Sequence, residues 1–501
     1  MSGIVRAASR PGLVALMAAL AVAWGCASGP AADFGASPPA GSLFLYPERI
    51  PLGDGTYTEA ERGILFVPAN RSNPASGVLA IEIYRFRAAP GADPATPPIF
   101  RLYGGPNFPG LEAWLDPEYY DTQIRPYREV ADFVVVGQRG IGSSKPNTVC
   151  EPPRPVALDA TLEERADALR DAAERCRSFW AERGLDLKGL NVLEAAADVN
   201  DVRRALGYDR IQLWGGSFGS HWAMAVMRVY PETVVRAVLR GLEGPDHTYD
   251  MPSGVLEGLA GIAAAADTAT ALAGHIPPAG LMATYKEIIH RLEQQPVTVT
   301  VETEETGGPV TVTVDADAVR AVALFGGAAG WPRHVLAMHK GDFTTAARAL
   351  VRDRLRPGYQ TASYFMLDCG SGISPERDAR LRSDPAIRYV GDLGWWYRTN
   401  CAVWDSDLGD DFRRNFDTDI PTVLVHGDWD TSTPLANALE LAPHFRNSRL
   451  VIVRGGSHGA LIEAMEASPE FHQAILHFFT TGDMSRLPDE VVLPPVRWAV
   501  P

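Results

Sequence analysis

Residues 210–227 read RIQLWGGSFGSHWAMAVM and combine three local patterns. The apolar run that begins at Ile211 predicts a buried strand, and the residues after Ser217 have the apolar pattern of a helix. Between them, Gly215-Gly216-Ser217-Phe218-Gly219 matches the Gly-x-Ser-x-Gly turn that exposes a nucleophilic serine between a strand and a helix. The stretch predicts an α/β sheet with Ser217 at its edge, and a plain glycine-rich turn is the alternative.

Two later segments could supply the base and the acid that a nucleophilic serine requires. Residues 421–426, PTVLVH, predict a buried strand, and the loop after it contains Asp430. A second strand pattern, 449–453, runs into Gly455-Gly456-Ser457-His458-Gly459. Because loops after parallel strands meet at one edge of the sheet, and because the order is serine, acid, histidine, we expect Ser217, Asp430 and His458 to form a triad.

The acid has one competitor in the same loop. Asp428 precedes Asp430 by two residues in Gly427-Asp428-Trp429-Asp430-Thr431-Ser432-Thr433-Pro434. We favour Asp430 because it lies further along the loop, with Thr433-Pro434 able to fix the turn behind it.

Several segments together resemble the proline iminopeptidase and tripeptidyl aminopeptidase family of serine peptidases. Residues 102–107, LYGGPN, and 134–144, VVVGQRGIGSS, are similar to its paired His-Gly-Gly-Pro-Gly and Asp-Gln-Arg-Gly-x-Gly-x-Ser signatures. Residues 198–208 leading into the serine turn, the loop 427–434 and the tail 491–495 are similar as well. The resemblance covers about half of the chain, and its segments are specific as a set.

The resemblance implies an α/β-hydrolase fold: a mostly parallel sheet flanked by helices, with an inserted, mainly helical cap domain. It implies a serine exopeptidase that releases N-terminal amino acids or short peptides through an acyl-enzyme. The N–H of Phe218, directly after the nucleophile, is the first expected oxyanion donor. Gly105 is the second candidate by resemblance, and a simple tight turn at 104–106 is the alternative reading.

This chain departs from the family pattern at three positions. Tyr103 stands where the family has histidine, Asn107 where it has glycine, and Gly137 where it has aspartate. The first two alter the loop that should donate an oxyanion N–H, so the acyl-group preference could differ from that of the proline-specific members. None of the three is a triad residue.

The strand–helix alternation breaks after about residue 245, which defines the predicted domains. We expect hydrolase core at 43–245 and 415–501, with a cap at 246–414 that is mainly helical. Within the cap, two valine–threonine repeats, 297–301 and 310–314, predict a hairpin. In the family the cap supplies acids that bind the free N-terminus of the substrate. The candidates are loop acids, which are more often simply solvated: Glu243, Asp246, Asp250 and Asp368.

Composition excludes several other classes. The chain has 501 residues, 46% of them hydrophobic, enough for a large core, and a formal net charge of -15. An acidic chain without a basic run is a poor ligand for a phosphate backbone, so nucleic acid is not an expected partner. No histidine spacing matches a metal-binding motif, so we expect no metal and no cofactor.

The N-terminus has the pattern of an export signal. Arg6 and Arg10 precede an apolar stretch, 13–24, that is too short to span a bilayer. We expect a signal peptide at 1–25, lipidation at Cys26 and a flexible tether at 26–42. This predicts a periplasmic or cell-envelope lipoprotein with a membrane contact only through its anchor, and ordinary secretion is the alternative.

In an exported protein the other four cysteines can form disulfides, because disulfides persist outside the cytoplasm. Four cysteines allow three connectivities, and four reduced thiols are a further alternative. Proximity favours Cys150 with Cys176 and Cys369 with Cys401. The family resemblance points the same way.

Three functions remain open at this stage. The first is an exopeptidase that acts on peptides with a free N-terminus, and the second is a carboxylesterase or lipase with the same triad. The third is a non-catalytic binding module on a hydrolase scaffold. A requirement for a free α-amino group separates the first two, and reaction of Ser217 with an organophosphonate separates enzyme from binder.

Overall fold

The computed structural model describes residues 38–107, 117–323 and 327–499. The predicted signal peptide, Cys26 and most of the predicted tether lie outside these residues. Among the described residues, no helix is both long and apolar enough to cross a membrane.

A ten-stranded mixed sheet organises the described part of the chain, in the order β1-β2-β3-β5-β4-β6-β7-β10-β11-β12. The first three strands are antiparallel to their neighbours, and every pairing from β5 to β12 is parallel. The strands, including the separate pair β8 and β9, are β1 (Leu43–Pro51), β2 (Tyr57–Pro68), β3 (Val78–Phe86), β4 (Ile99–Leu102), β5 (Phe133–Val136), β6 (Ile211–Ser217), β7 (Val234–Leu242), β8 (Val297–Val301), β9 (Val310–Val314), β10 (Thr422–Gly427), β11 (Ser448–Arg454) and β12 (Glu490–Val492).

Helices cover both faces of this sheet and fill the region between β7 and β10. They are α1 (Pro117–Gln123), α2 (Arg125–Arg128), α3 (Leu162–Glu182), α4 (Val192–Ala205), α5 (Phe218–Val229), α6 (Pro252–Asp267), α7 (Leu281–Gln294), α8 (Ala316–Ala323), α9 (Gly327–His339), α10 (Thr344–Leu355), α11 (Ala362–Ser371), α12 (Pro375–Arg382), α13 (Ile387–Val390), α14 (Trp395–Trp404), α15 (Asp410–Arg413), α16 (Leu435–Leu441), α17 (Ala460–Ala467) and α18 (Pro469–Thr481).

The parallel strands are apolar on both sides because both faces of the sheet are buried. Successive residues of a strand point to opposite faces, so Leu213 joins one apolar cluster and Trp214 the other. Helices α4 and α5 pack in the first cluster, and α17 and α18 in the second. The carboxyl ends of the parallel strands are thereby held in fixed positions at one edge.

The region between β7 and β10 contains a third apolar cluster, built from α6 to α10 and the β8–β9 hairpin. The hairpin is antiparallel with Val297 opposite Val314, which confirms the prediction made from the valine–threonine repeats. The later helices α11 and α14 belong instead to the cluster around α4 and α5. The segment between β7 and β10 therefore has two parts. The first part has an apolar core of its own, and the second packs against the hydrolase core.

The described residues contain two disulfides, with the predicted pairing. Cys150 is bonded to Cys176 at an S–S distance of 2.01 Å, and Cys369 to Cys401 at 2.03 Å. The first ties the loop after β5 to α3, and the second ties α11 to α14. The bonded cysteines are 26 and 32 residues apart in the sequence, which agrees with the argument from proximity along the chain.

Candidate active site

Ser217 lies at a sharp turn between β6 and α5. Its φ of 58° and ψ of -136° are strained for a residue with a side chain, a cost of order 1–3 kcal/mol. The turn requires close backbone approach, because a Cβ on Gly219 would lie 2.1 Å from the carbonyl oxygen of Leu102. The sequence motif thus adopts the predicted strand–turn–helix geometry.

Asp430 and His458 meet at this edge of the sheet. His458 Nδ1 lies 2.9 Å from Asp430 Oδ2. A Cβ on Gly241 would lie 2.9 Å from His458 Cε1, and the next residue, Leu242, is paired with Ser217 between β6 and β7. The imidazole therefore lies beside β7, the strand that pairs with the serine-bearing strand β6.

Asp430 is held as a carboxylate. Its Oδ1 accepts hydrogen bonds from the N–H groups of Ser432 (2.8 Å) and Thr433 (2.9 Å), and its Oδ2 accepts one from Thr433 Oγ1 at 2.8 Å. Burial acts to raise the pKa of Asp430, but the positive charge of protonated His458 and its hydrogen bond hold that pKa well below its usual range. An ionised acid facing Nδ1 is what orients a histidine base.

Asp428 points elsewhere. Its Oδ1 accepts a hydrogen bond from the N–H of Gly455 at 2.7 Å, and its Oδ2 lies 3.6 Å from Arg454. It therefore braces the start of the histidine loop, whereas Asp430 contacts the histidine itself.

Two residues of the acid's surroundings were missed by sequence reasoning. Thr433 Oγ1 lies 3.2 Å from His458 Nδ1, although the sequence indicated only that Thr433 shapes a turn. His426, interpreted as an ordinary strand residue, accepts the Leu242 N–H at Nδ1 and contacts Thr433 O through Nε2 at 2.7 Å. Burial lowers the pKa of His426, so it is neutral, with its proton on Nε2.

The two candidate oxyanion donors both lie near Ser217. Phe218 is the first residue of α5, where backbone N–H groups have no acceptor within the helix. Gly105 lines the same cavity as Ser217. Gln138 fixes the Gly105 loop, because its side chain donates to the carbonyl of Tyr103 (3.0 Å) and accepts the N–H of Asn107 (3.0 Å).

Arg139, the neighbour of Gln138 in the family-like segment, has a structural position. It is fully buried and binds Asp198 through two hydrogen bonds of 2.7 and 2.6 Å. It also donates to the carbonyl of Ala69 at 2.9 Å. This pair joins the loop after β5 to α4 behind the sheet edge.

A cavity of about 100 Å³ opens at Ser217 and is lined by acids. Three of the four candidate acids reach it: Glu243, Asp250 and Asp368. The other lining residues are Gly105, His247, Thr248, Tyr397, Ser432 and Thr433. The fourth candidate, Asp246, accepts hydrogen bonds from Ser374 and so serves the start of α12 instead.

The environment of these acids disfavours their charged forms. Burial raises the pKa of Asp368 to about 8, although Tyr364 and Tyr397 donate hydrogen bonds to it. Burial, followed by repulsion from Asp368 and Asp250, raises the pKa of Glu243 well above its usual value. Burial and the charge of Asp430 do the same for the pKa of Asp250, whose buried Oδ1 has no hydrogen-bond partner among the described residues. A positive charge placed among these acids would favour their ionised forms.

Two family models match separate parts of the chain. The family model described as alpha/beta hydrolase fold matches residues 97–274, which include Gly105 and Ser217. A second model, described as TAP-like protein, matches residues 388–491, which include Asp430 and His458. The chain has the α/β-hydrolase fold, and its resemblance to serine peptidases of the tripeptidyl aminopeptidase type is confirmed.

Curated relatives are distant. The chain is 27% identical over 198 residues to the serine protease Hip1 of Mycobacterium tuberculosis and of Mycobacterium bovis. The match covers 37% of this chain and spans only 36% of the length of those relatives. Together with the family models, this match shows that the chain is similar to hydrolases of the serine type.

Solved structures with a similar fold have little sequence in common with this chain. One is a serine hydrolase from Cycloclasticus zankles, at 14% identity and a TM-score of 0.35, which covers 83% of this chain and 98% of its own. Another is an esterase from Exiguobacterium antarcticum, at 15% identity and a TM-score of 0.35, with coverage of 83% and 99%.

Proposed function

We propose that this chain is an exported serine exopeptidase that releases N-terminal amino acids or short peptides from substrates with a free N-terminus. The observation that carries the proposal is the cavity that Ser217 shares with Glu243, Asp250 and Asp368. A nucleophile next to several buried acids suits a substrate whose reactive carbonyl lies close to an ammonium group.

The chemistry follows from the placement of the side chains. His458, oriented by Asp430, takes the Ser217 proton as the serine attacks the carbonyl carbon, and the N–H groups of Phe218 and Gly105 stabilise the oxyanion. His458 then protonates the leaving amine, which leaves an acyl-enzyme. Water activated by the same histidine attacks the acyl carbon and frees the serine.

The acids account for selection of the amine. An ammonium group favours the ionised carboxylates and gains charge-assisted hydrogen bonds, each worth roughly 1.5–3 kcal/mol. An acetylated amine loses both the charge and these bonds. A cavity of about 100 Å³ lined by acids suits a small charged group, which supports binding of a substrate N-terminus beside Ser217.

The test compares free and N-acetylated fluorogenic substrates of the same sequence. We expect acetylation to lower kcat/KM by tens-fold to thousands-fold, as the loss of one to two charge-assisted bonds predicts. Long folded proteins should not be cleaved. If acetylated peptides or simple acyl esters are hydrolysed as efficiently as free-amine peptides, the esterase alternative replaces this proposal.

A matched pair of variants tests the acids themselves. Asp368→Asn mimics the protonated acid of the empty cavity, so it should fold and should lower kcat/KM for free-amine substrates by at least tenfold while leaving acetylated substrates unaffected. Asp246→Asn is the control, because Asp246 belongs to the same region but contacts Ser374. Equal effects of both variants would contradict a direct role for Asp368.

We also propose that the protein acts outside the cytoplasm as a lipoprotein anchored at Cys26. The two disulfides support an oxidising location. Cys26→Ser should release the protein from the membrane fraction without loss of activity. Recovery of the unaltered protein from the soluble cytoplasmic fraction would contradict export.

A further inference from the structure

The loop that carries His458 is held from two sides by side chains of opposite charge. Arg240, on β7, donates a hydrogen bond from Nη1 to the carbonyl oxygen of His458. Glu463, in the first turn of α17, accepts the N–H of Ser457 at 2.8 Å and also accepts the Ser457 hydroxyl. Neither residue belongs to the triad, and each contacts the backbone at or next to the base.

Arg240 also connects the base to the nucleophile. It is paired with Gly216, the residue before Ser217, in the β6–β7 register. Its guanidinium carbon lies 5.9 Å from the centre of the Trp214 ring on β6. Its contact with His458 therefore fixes the histidine loop relative to the strand that ends at the serine.

Arg240 is half-buried, and its buried Nε has no hydrogen-bond partner in the part of the chain that the structure describes. Burial, and then repulsion from Arg101, lower its pKa to about 10, so it remains charged near neutral pH. Holding a guanidinium partly out of water without a hydrogen-bonded acid costs stability. Its position beside the base offers a functional reason for keeping it.

We propose that Arg240 and Glu463 are positioning residues that clamp the His458 loop and balance the electrostatic field at the imidazole. The positive side of the clamp opposes protonation of His458, and the negative side favours it. This inference rests on the triad of the proposed function and is independent of the amine selectivity.

Other charged groups around His458 do not change in the test. They are Asp430 and His426 from β10 and its loop, the Asp428–Arg454 pair at the start of the histidine loop, Asp250 across the cavity, and Arg101 behind Arg240. Because they are common to every variant, a shift between variants reports the clamp alone.

The two sides of the clamp predict opposite shifts in the pH–rate profile. Arg240→Met removes a positive charge, so the acid limb of kcat should move to higher pH by roughly 0.5–1 unit. Glu463→Gln keeps an acceptor for Ser457 and removes the negative charge, so the acid limb should move to lower pH by a similar amount. Arg240→Lys keeps the charge but not the reach of the guanidinium, so it should lower kcat about tenfold without moving the limb.

The assay uses an activated acyl ester, which needs no amine, with the full-length protein. Arg236→Met is the matched control: Arg236 lies on the same strand but donates to the carbonyls of Phe478 and Phe479, so its profile should equal that of the unaltered protein. Undiminished activity in Ser217→Ala would indicate failure of the triad assignment rather than of the clamp.

Opposite shifts in Arg240→Met and Glu463→Gln support the proposal. Absence of either shift in a folded variant, or shifts in the same direction, overturns it, because a merely structural role lowers kcat without that pattern. If Arg240→Met does not fold, the Glu463→Gln shift alone decides the matter.

Discussion

Replacing Asp430 by asparagine should abolish most turnover without unfolding the protein. The amide oxygen of the introduced asparagine can keep the hydrogen bonds from the N–H groups of Ser432 and Thr433. The new NH₂ group would then face His458 Nδ1, which the carboxylate of Asp430 contacts at 2.9 Å. Nδ1 would have to accept a hydrogen bond, so the ring proton would move to Nε2, where it blocks transfer from Ser217.

The expected loss is on the order of 10⁴-fold in kcat, or about 5.4 kcal/mol of transition-state stabilisation. The assay is steady-state hydrolysis of a free-amine fluorogenic peptide, with circular dichroism as the check on folding. Asp428→Asn is the control and should change kcat less than about threefold, because Asp428 contacts Gly455 and Arg454 rather than the histidine. Retained activity in Asp430→Asn alongside loss in Asp428→Asn would refute our assignment of the acid.

Three further predictions concern other parts of the same site. Gly104→Ala should lower kcat by about 10²-fold, because its Cβ would lie 2.6 Å from Ser217 Cβ and displace the nucleophile; normal turnover would contradict this packing. The preference for free over acetylated substrates should weaken as pH falls below about 8, because the raised pKa of Asp368 leaves a proton that ammonium binding must release, and a preference that is flat between pH 6 and 8 would exclude this coupling. Non-reducing peptide mapping should recover both disulfides, and removing either by serine substitution should cost about 3.5 kcal/mol in urea unfolding, whereas four free thiols in the exported protein would exclude them.

Much of the site could be predicted from local sequence, because several features of the site depend only on residues that are neighbours in the chain. The turn at Ser217 requires glycines within two positions of it, and the sequence contains them. Asp430 and His458 each follow an apolar strand pattern directly, so their place at the sheet edge could be predicted from the parallel arrangement. The hairpin at 297–314 could likewise be predicted from its alternating valine and threonine residues.

The sequence could only partly distinguish between acids that lie near each other in the same loop. The sequence favoured Asp430 over Asp428 on loop position, and the structure supplies the reason: one contacts His458 and the other Gly455. Among the loop acids, nothing local separated Asp246 from Asp250. Their different destinations depend on how α12 and the loop after β7 pack in three dimensions.

The sequence by itself determined the fold class, the order of the nucleophile, acid and base, and the favoured pairing of the cysteines, because each follows from short-range patterns or from proximity along the chain. Only the tertiary structure decided that Glu243 and Asp368 share a cavity with Ser217, and that Arg240 and Glu463 hold the histidine loop. Except for the contact of Glu463 with Ser457, six residues away, these contacts join residues far apart in the sequence. They exist because packing of α11 against the hydrolase core and of α17 against the sheet brings them together, and no local pattern encodes that packing.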